Sequence, residues 1–206
     1  MKKFNLIALL IWLSTHGTLW AAQGNETIDK IPNNNQETAK MDNTNNPILV
    51  IAEKLKENKI FPSDFSPENI QDEYSLMKAI REHTKNTQVK FYDEDIGTEN
   101  DADEDYVAIM RMFSKASGGT IIYEIIDSST IKDNVKIKFK HNNKEYSWEF
   151  QQESDSLSEE FLYLVMEHSK ECEAGEFINL MDDDTIMIGF VPKEISSLLY
   201  QNEFIY

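Results

Sequence analysis

Residues 93–105 hold Asp93, Glu94, Asp95, Glu99, Asp101, Asp103, Glu104 and Asp105, eight acids in thirteen residues with no base among them. Carboxylates at that density can chelate a hard cation or focus a field toward a cationic partner. An EF-hand calcium loop needs Gly at its sixth position, and Asp101-x-Asp103-x-Asp105 continues with Tyr106 there. Three readings stay open for the run: a solvated loop, a weak calcium site, and a docking surface for a basic protein. The eight acids are the partner-binding candidates of this chain. Asp182-Asp183-Asp184 reads as a hairpin turn that could join the same acidic surface.

Other chemistry-bearing residues form no recognisable machinery. His168 and Cys172 stand four apart, a spacing that could pair a thiol with a base. No nucleophile signature surrounds Cys172, so a partly buried His and a free thiol are expected. His83 and His141 have no partner at metal-ligand spacing, and one Cys excludes an intramolecular disulfide framework. Gly118-Gly119 reads as a turn because no phosphate-loop Lys follows, and Gly-x-Ser-x-Gly is absent. The sequence therefore points to a non-enzymatic protein with no cofactor and no metal centre. A secreted hydrolase whose site lacks a sequence-local motif is the alternative from another class.

The chain of 206 residues carries 37 Asp+Glu against 20 Lys+Arg, a net charge of -17. That balance argues against nucleic acid and against an anionic membrane surface, both of which need basic patches. A basic protein partner, or solubility alone, is what such acidity suits. Lys2 and Lys3 precede the apolar run Leu6 to Leu13, and Ala21-Ala22 follow it. This is the pattern of a cleavable signal peptide over 1–22, with an apolar stretch too short to span a bilayer. A periplasmic or secreted protein is expected. Residues 23–46 are rich in Asn, Gln and Thr and lack an apolar period, so a disordered leader is expected before one domain over 47–206.

The elements that must position these residues follow from periodicity. Pro47 opens a helix with Ile48, Ile51, Ala52 and Leu55 inward. A second helix is predicted over 72–84, a strand over 88–92, and a third helix with Tyr106, Ile109, Met110 and Phe113 inward. Acids at its start suit the positive end of the helix dipole. Residues 120–127 (TIIYEIID) read as a buried strand. Val135, Ile137 and Phe139 then alternate with Lys136, Lys138 and Lys140, while Tyr146, Trp148 and Phe150 alternate with Glu145, Ser147 and Glu149. A two-residue turn at Asn142-Asn143 places Phe139 opposite Tyr146, Ile137 opposite Trp148 and Val135 opposite Phe150. It also puts Lys140 beside Glu145 and Lys136 beside Glu149. A helix over 158–170, a hairpin of strands 177–181 and 185–191, and a last helix after Pro192 complete the chain. The class is α+β, with helices packed on one antiparallel sheet of about five to six strands.

Residues 135–161 (VKIKFKHNNKEYSWEFQQESDSLSEEF) and 177–192 (FINLMDDDTIMIGFVP) carry a resemblance. In them the chain resembles small secreted α+β immunity proteins of bacterial polymorphic toxin systems. The resemblance covers the C-terminal half. It implies no enzyme activity and a protein that neutralises a toxin by binding it. An acidic surface suits a basic toxin such as a nuclease, whereas an exported protein suits a toxin acting on cell wall or membrane.

Overall fold

The computed structural model describes residues 46–91, 96, 101–152, 155–180 and 185–205, all within one compact unit, Met41–Tyr206. The signal-peptide and leader expectations, and the turn at 182–184, fall outside the described residues. The described helices are α1 (Pro47–Glu57), α2 (Glu73–His83), α3 (Ala102–Ala116), α4 (Glu159–Ser169) and α5 (Lys193–Gln201). The described strands are β1 (Gln88–Phe91), β2 (Glu124–Ile131), β3 (Asn134–His141), β4 (Lys144–Gln151), β5 (Gly175–Asn179) and β6 (Ile186–Pro192). Their order along the chain is the expected one, and the class is α+β with antiparallel pairing throughout. None of the described helices is long and apolar enough to cross a membrane.

The six described strands form two sheets of three, ordered β1-β6-β5 and β2-β3-β4, where one sheet was expected. The reason lies in how many faces each sheet buries. In β5 and β6 successive residues serve different cores. Phe177 and Ile188 pack with α3, α4 and the second sheet, whereas Ile178, Met187 and Val191 pack with α1, α2 and α5. Side chains alternate across a strand, so this sheet is covered on both faces. The β2-β3-β4 sheet is covered on one. Val135, Ile137, Phe139, Trp148 and Phe150 are buried, and the opposite face carries the Lys and Glu residues to solvent.

Local signals were read closely by the chain itself. Asn142 and Asn143 adopt φ 52 and 63, the left-handed pair that a tight hairpin turn requires. The register is Phe139↔Tyr146, Ile137↔Trp148 and Val135↔Phe150, as the alternation predicts. Lys136–Glu149 and Lys140–Glu145 lie 3.9 and 3.4 Å apart on the outer face. Asp72 caps α2 by accepting the Ser75 N–H at 2.8 Å, and the Ser75 side chain first, with this N–H second, holds its carboxyl below the usual range. Gly118 and Gly119 (φ 65 and 80) end α3. The Gly119 N–H donates to the Ser114 carbonyl and the Gly118 N–H to that of Lys115, both at 3.0 Å, the Schellman pattern.

One strand departs from expectation. β2 starts at Glu124 rather than Thr120 and runs on through Ser128-Ser129-Thr130 to Ile131. It is an edge strand with no fully buried residue, whereas a buried strand was expected. Its β-branched composition marks extended backbone, but burial depends on a neighbour, and among the described strands β2 has one on a single side. The register shifts between Ile125 and Asp127, so Ile126 is left without a partner on β3.

Candidate functional site

Of the eight candidate acids, Asp93, Glu94, Asp95 and Glu99 lie outside the described residues. The other four surround the start of α3, and they differ in role. Asp101 occupies the position before the helix and is exposed, as is Glu104 one turn on; Asp105 is half-buried. Asp103 is 7% exposed. Its N–H donates to Thr130 Oγ1 at 2.8 Å, and the Thr130 hydroxyl donates to its Oδ1 at 2.7 Å. This reciprocal pair fastens the acidic start of α3 to the last residues of β2. Asp103 therefore holds the site together, and Asp101 and Glu104 are the charges that face solvent.

β2 itself exposes apolar surface. Ile126 is 50% and Ile131 70% exposed, in a strand that among the described residues pairs with β3 alone. An edge strand offers unpaired N–H and C=O groups, which a second chain can engage. Asp133, in the turn after β2, adds another exposed carboxylate. Acids around an apolar strand edge can attract and hold a basic polypeptide. Sequence reading missed Thr130, Ile126 and Ile131. The available signal was Ser128-Ser129-Thr130, a polar stretch inside a strand that the apolar run before it made look buried.

Tyr106 positions this end of α3. Its ring is fully buried against Phe150 and Phe161, its hydroxyl donates to Gln152 Oε1, and it accepts the Ser158 N–H at 2.9 Å. Burial pushes its phenol up to about 12. Tyr106→Phe removes a partner from two groups in the interior and is expected to cost about 1–3 kcal/mol. Urea unfolding measures it, and an unchanged midpoint would mean that the hydroxyl contributes nothing to anchoring the helix.

The structure also joins two histidines that the sequence left apart. His141, at the end of β3, and His168, in α4, are each 6% exposed, with His141 Nδ1 and His168 Nε2 2.9 Å apart. Tyr123, Phe139, Tyr146 and Trp148 all place rings within 5.7 Å of the His168 ring. Burial, with His141 adding to it, lowers the His168 pKa to about 4. Lys144 acts in the same direction and Glu171 against it. One shared proton satisfies the contact, and two facing N–H groups could not occupy it. Cys172 is a partly exposed free thiol packed at the margin of this core. The described residues bring no three His, Cys, Asp or Glu side chains into a metal-holding group. Trp148 and Phe150 belong to the core, and the half-buried Tyr146 packs against it, stacked on Phe139 at 5.3 Å.

No protein-family model matches this chain, and it matches no curated protein and no solved structure.

Proposed function

We propose that this protein is an exported, non-enzymatic binding domain that holds a basic partner protein against the acidic edge formed by β2 and the start of α3. The carrying observation is the Asp103–Thr130 pair, which fastens the start of α3, with its exposed Asp101 and Glu104, to the end of β2, a strand that exposes Ile126 and Ile131. Charged groups around an apolar contact steer encounter, and the contact itself sets how long the complex lasts. The net charge of -17 favours a cationic partner at longer range. Export rests on Lys2, Lys3, the apolar run over 6–13 and Ala21-Ala22. Neutralisation of a bacterial toxin is the leading version of this binding. It rests on the resemblance carried by residues 135–161 and 177–192.

The test uses a partner captured on the immobilised chain and its association kinetics at about 50 mM and about 300 mM salt. Asp101→Asn with Glu104→Gln is expected to slow association several-fold and to flatten its salt dependence, with the melting temperature unchanged. Ile131→Lys is expected to speed dissociation, because it puts a charge where an apolar contact forms. A captured partner that is acidic, or association indifferent to the double substitution, would sink the proposal.

A further inference from the structure

Another edge strand, β1, lies in surroundings of the opposite charge. Among the described residues β1 pairs with β6 alone, and at its outer side a cleft of about 740 Å³ opens between α2 and α3. The cleft wraps the strand. Lys90 and Met187 line it from the face covered by α2, and Met112, Lys115 and Ala116 from the face covered by α3. Lys78, Arg81 and Lys85 contribute from α2 and the turn after it, so five cations meet one acid, Glu82, in the lining. Lys78, Lys85, Lys90 and Lys115 are exposed, and none is in an ion pair with another described residue. Arg81 places its guanidinium 5.9 Å from the centre of the Tyr74 ring, and Tyr74 is 70% exposed. In a chain of net charge -17, this is a local reversal of sign.

We propose that the free edge of β1 is a second binding site, which takes an extended acidic segment of a partner protein as an added strand. The edge supplies main-chain donors and acceptors, and the cations meet carboxylates carried on alternate residues of the added strand. Lysine on a short edge strand also prevents self-pairing. That role asks for Lys90 alone and leaves the cations on α2 and α3 unexplained. A long polyanion such as nucleic acid would extend past the cleft into the field of a chain of net charge -17, whereas a short acidic segment stays within the cationic lining. A second copy of this chain would add its own net negative charge, which disfavours it as the occupant. The site is separate from the β2 edge and does not depend on the function proposed for it.

Fluorescence anisotropy of a labelled peptide of alternating Glu and Val, about ten residues long, tests the site on the purified chain. The peptide is expected to bind, and Lys78→Glu with Lys115→Glu to weaken it at least about tenfold. N-methylation of alternate peptide amides, which keeps the charge and removes strand pairing, is expected to weaken it by a similar factor. Amide exchange at Gln88 and Lys90, whose N–H groups alternate with those bonded to β6 and so face the outer edge, is expected to slow in the complex. Asp101→Asn with Glu104→Gln should leave peptide binding unchanged, so failure here and failure of the β2 proposal are separable. The proposal is overturned if the peptide does not bind at about 1 mM, the weak end of measurable affinity. Equal binding of the N-methylated peptide, tighter binding of an oligonucleotide of equal charge, or a shift to dimer that abolishes binding would also overturn it.

Discussion

Trp148→Ala is expected to lower the unfolding free energy by about 3–5 kcal/mol, the range for removing a large aromatic side chain from a packed core. Trp148 is 7% exposed and sits opposite Ile137 in the β3–β4 hairpin. Its ring meets Phe139 at 4.7 Å, Tyr123 and His168 at 5.7 Å, and Phe161 at 6.1 Å. Truncation leaves a void that all four neighbours border, in the core shared by α3, α4 and both sheets. Lys138→Ala, one residue from Ile137 on the solvent face, is expected to change stability by no more than about 0.5 kcal/mol. Far-UV circular dichroism in urea compares the two. A Trp148 variant of full stability that no longer binds a partner would mean that these aromatics form a recognition surface.

Acidification is expected to weaken the fold through the histidine pair. The unperturbed His168 value is 6.5, and burial beside His141 brings it down to about 4 in the native state. The unfolded chain therefore takes up this proton at higher pH than the folded chain does. The contribution of neutral His168 is complete above pH 6.5, falls as the pH drops through the window from 6.5 to about 4, and is lost below it. A shift of that size corresponds to about 3 kcal/mol. Carboxylates titrate near the lower end of the window, so the informative quantity is the difference between the wild type and His168→Gln. Glutamine keeps a polar group near the Nε2 position and carries no titrating proton. The wild type is expected to be the more stable at pH 7, with the gap narrowing by about 3 kcal/mol at pH 4. A gap that stays constant across the window would show that His168 titrates alike in both states.

The two expectations rest on different kinds of information. Trp148 as a core residue was legible because hairpin pairing is local. Alternation from Val135 to Phe139 and from Tyr146 to Phe150, with Asn142-Asn143 between them, leaves one register that satisfies both faces. The His141–His168 contact was not legible, because β3 and α4 meet only after the hairpin has folded onto the helix. The candidate site divides in the same way. Eight acids in thirteen residues mark the region at a glance, but nothing in their spacing separates Asp103, engaged with Thr130 in another element, from the exposed Asp101 and Glu104.

The amino-acid sequence by itself determined the order of helices and strands, the hairpin register, the capping signals and the net charge, since each depends on neighbours a few residues away. Only the tertiary structure decided which strands share a sheet. β1 pairs with β6 about 100 residues later, as in Gln88↔Gly189, a contact whose loop-closure cost no local pattern reports. That pairing divides the six described strands into two sheets, with β2 and β1 among the edge strands. It also places lysines from α2, β1 and α3 around one of those edges in a chain that is acidic as a whole. Composition sums charge along the chain, whereas folding decides where each charge stands. Here that produced a cationic cleft that a net charge of -17 conceals.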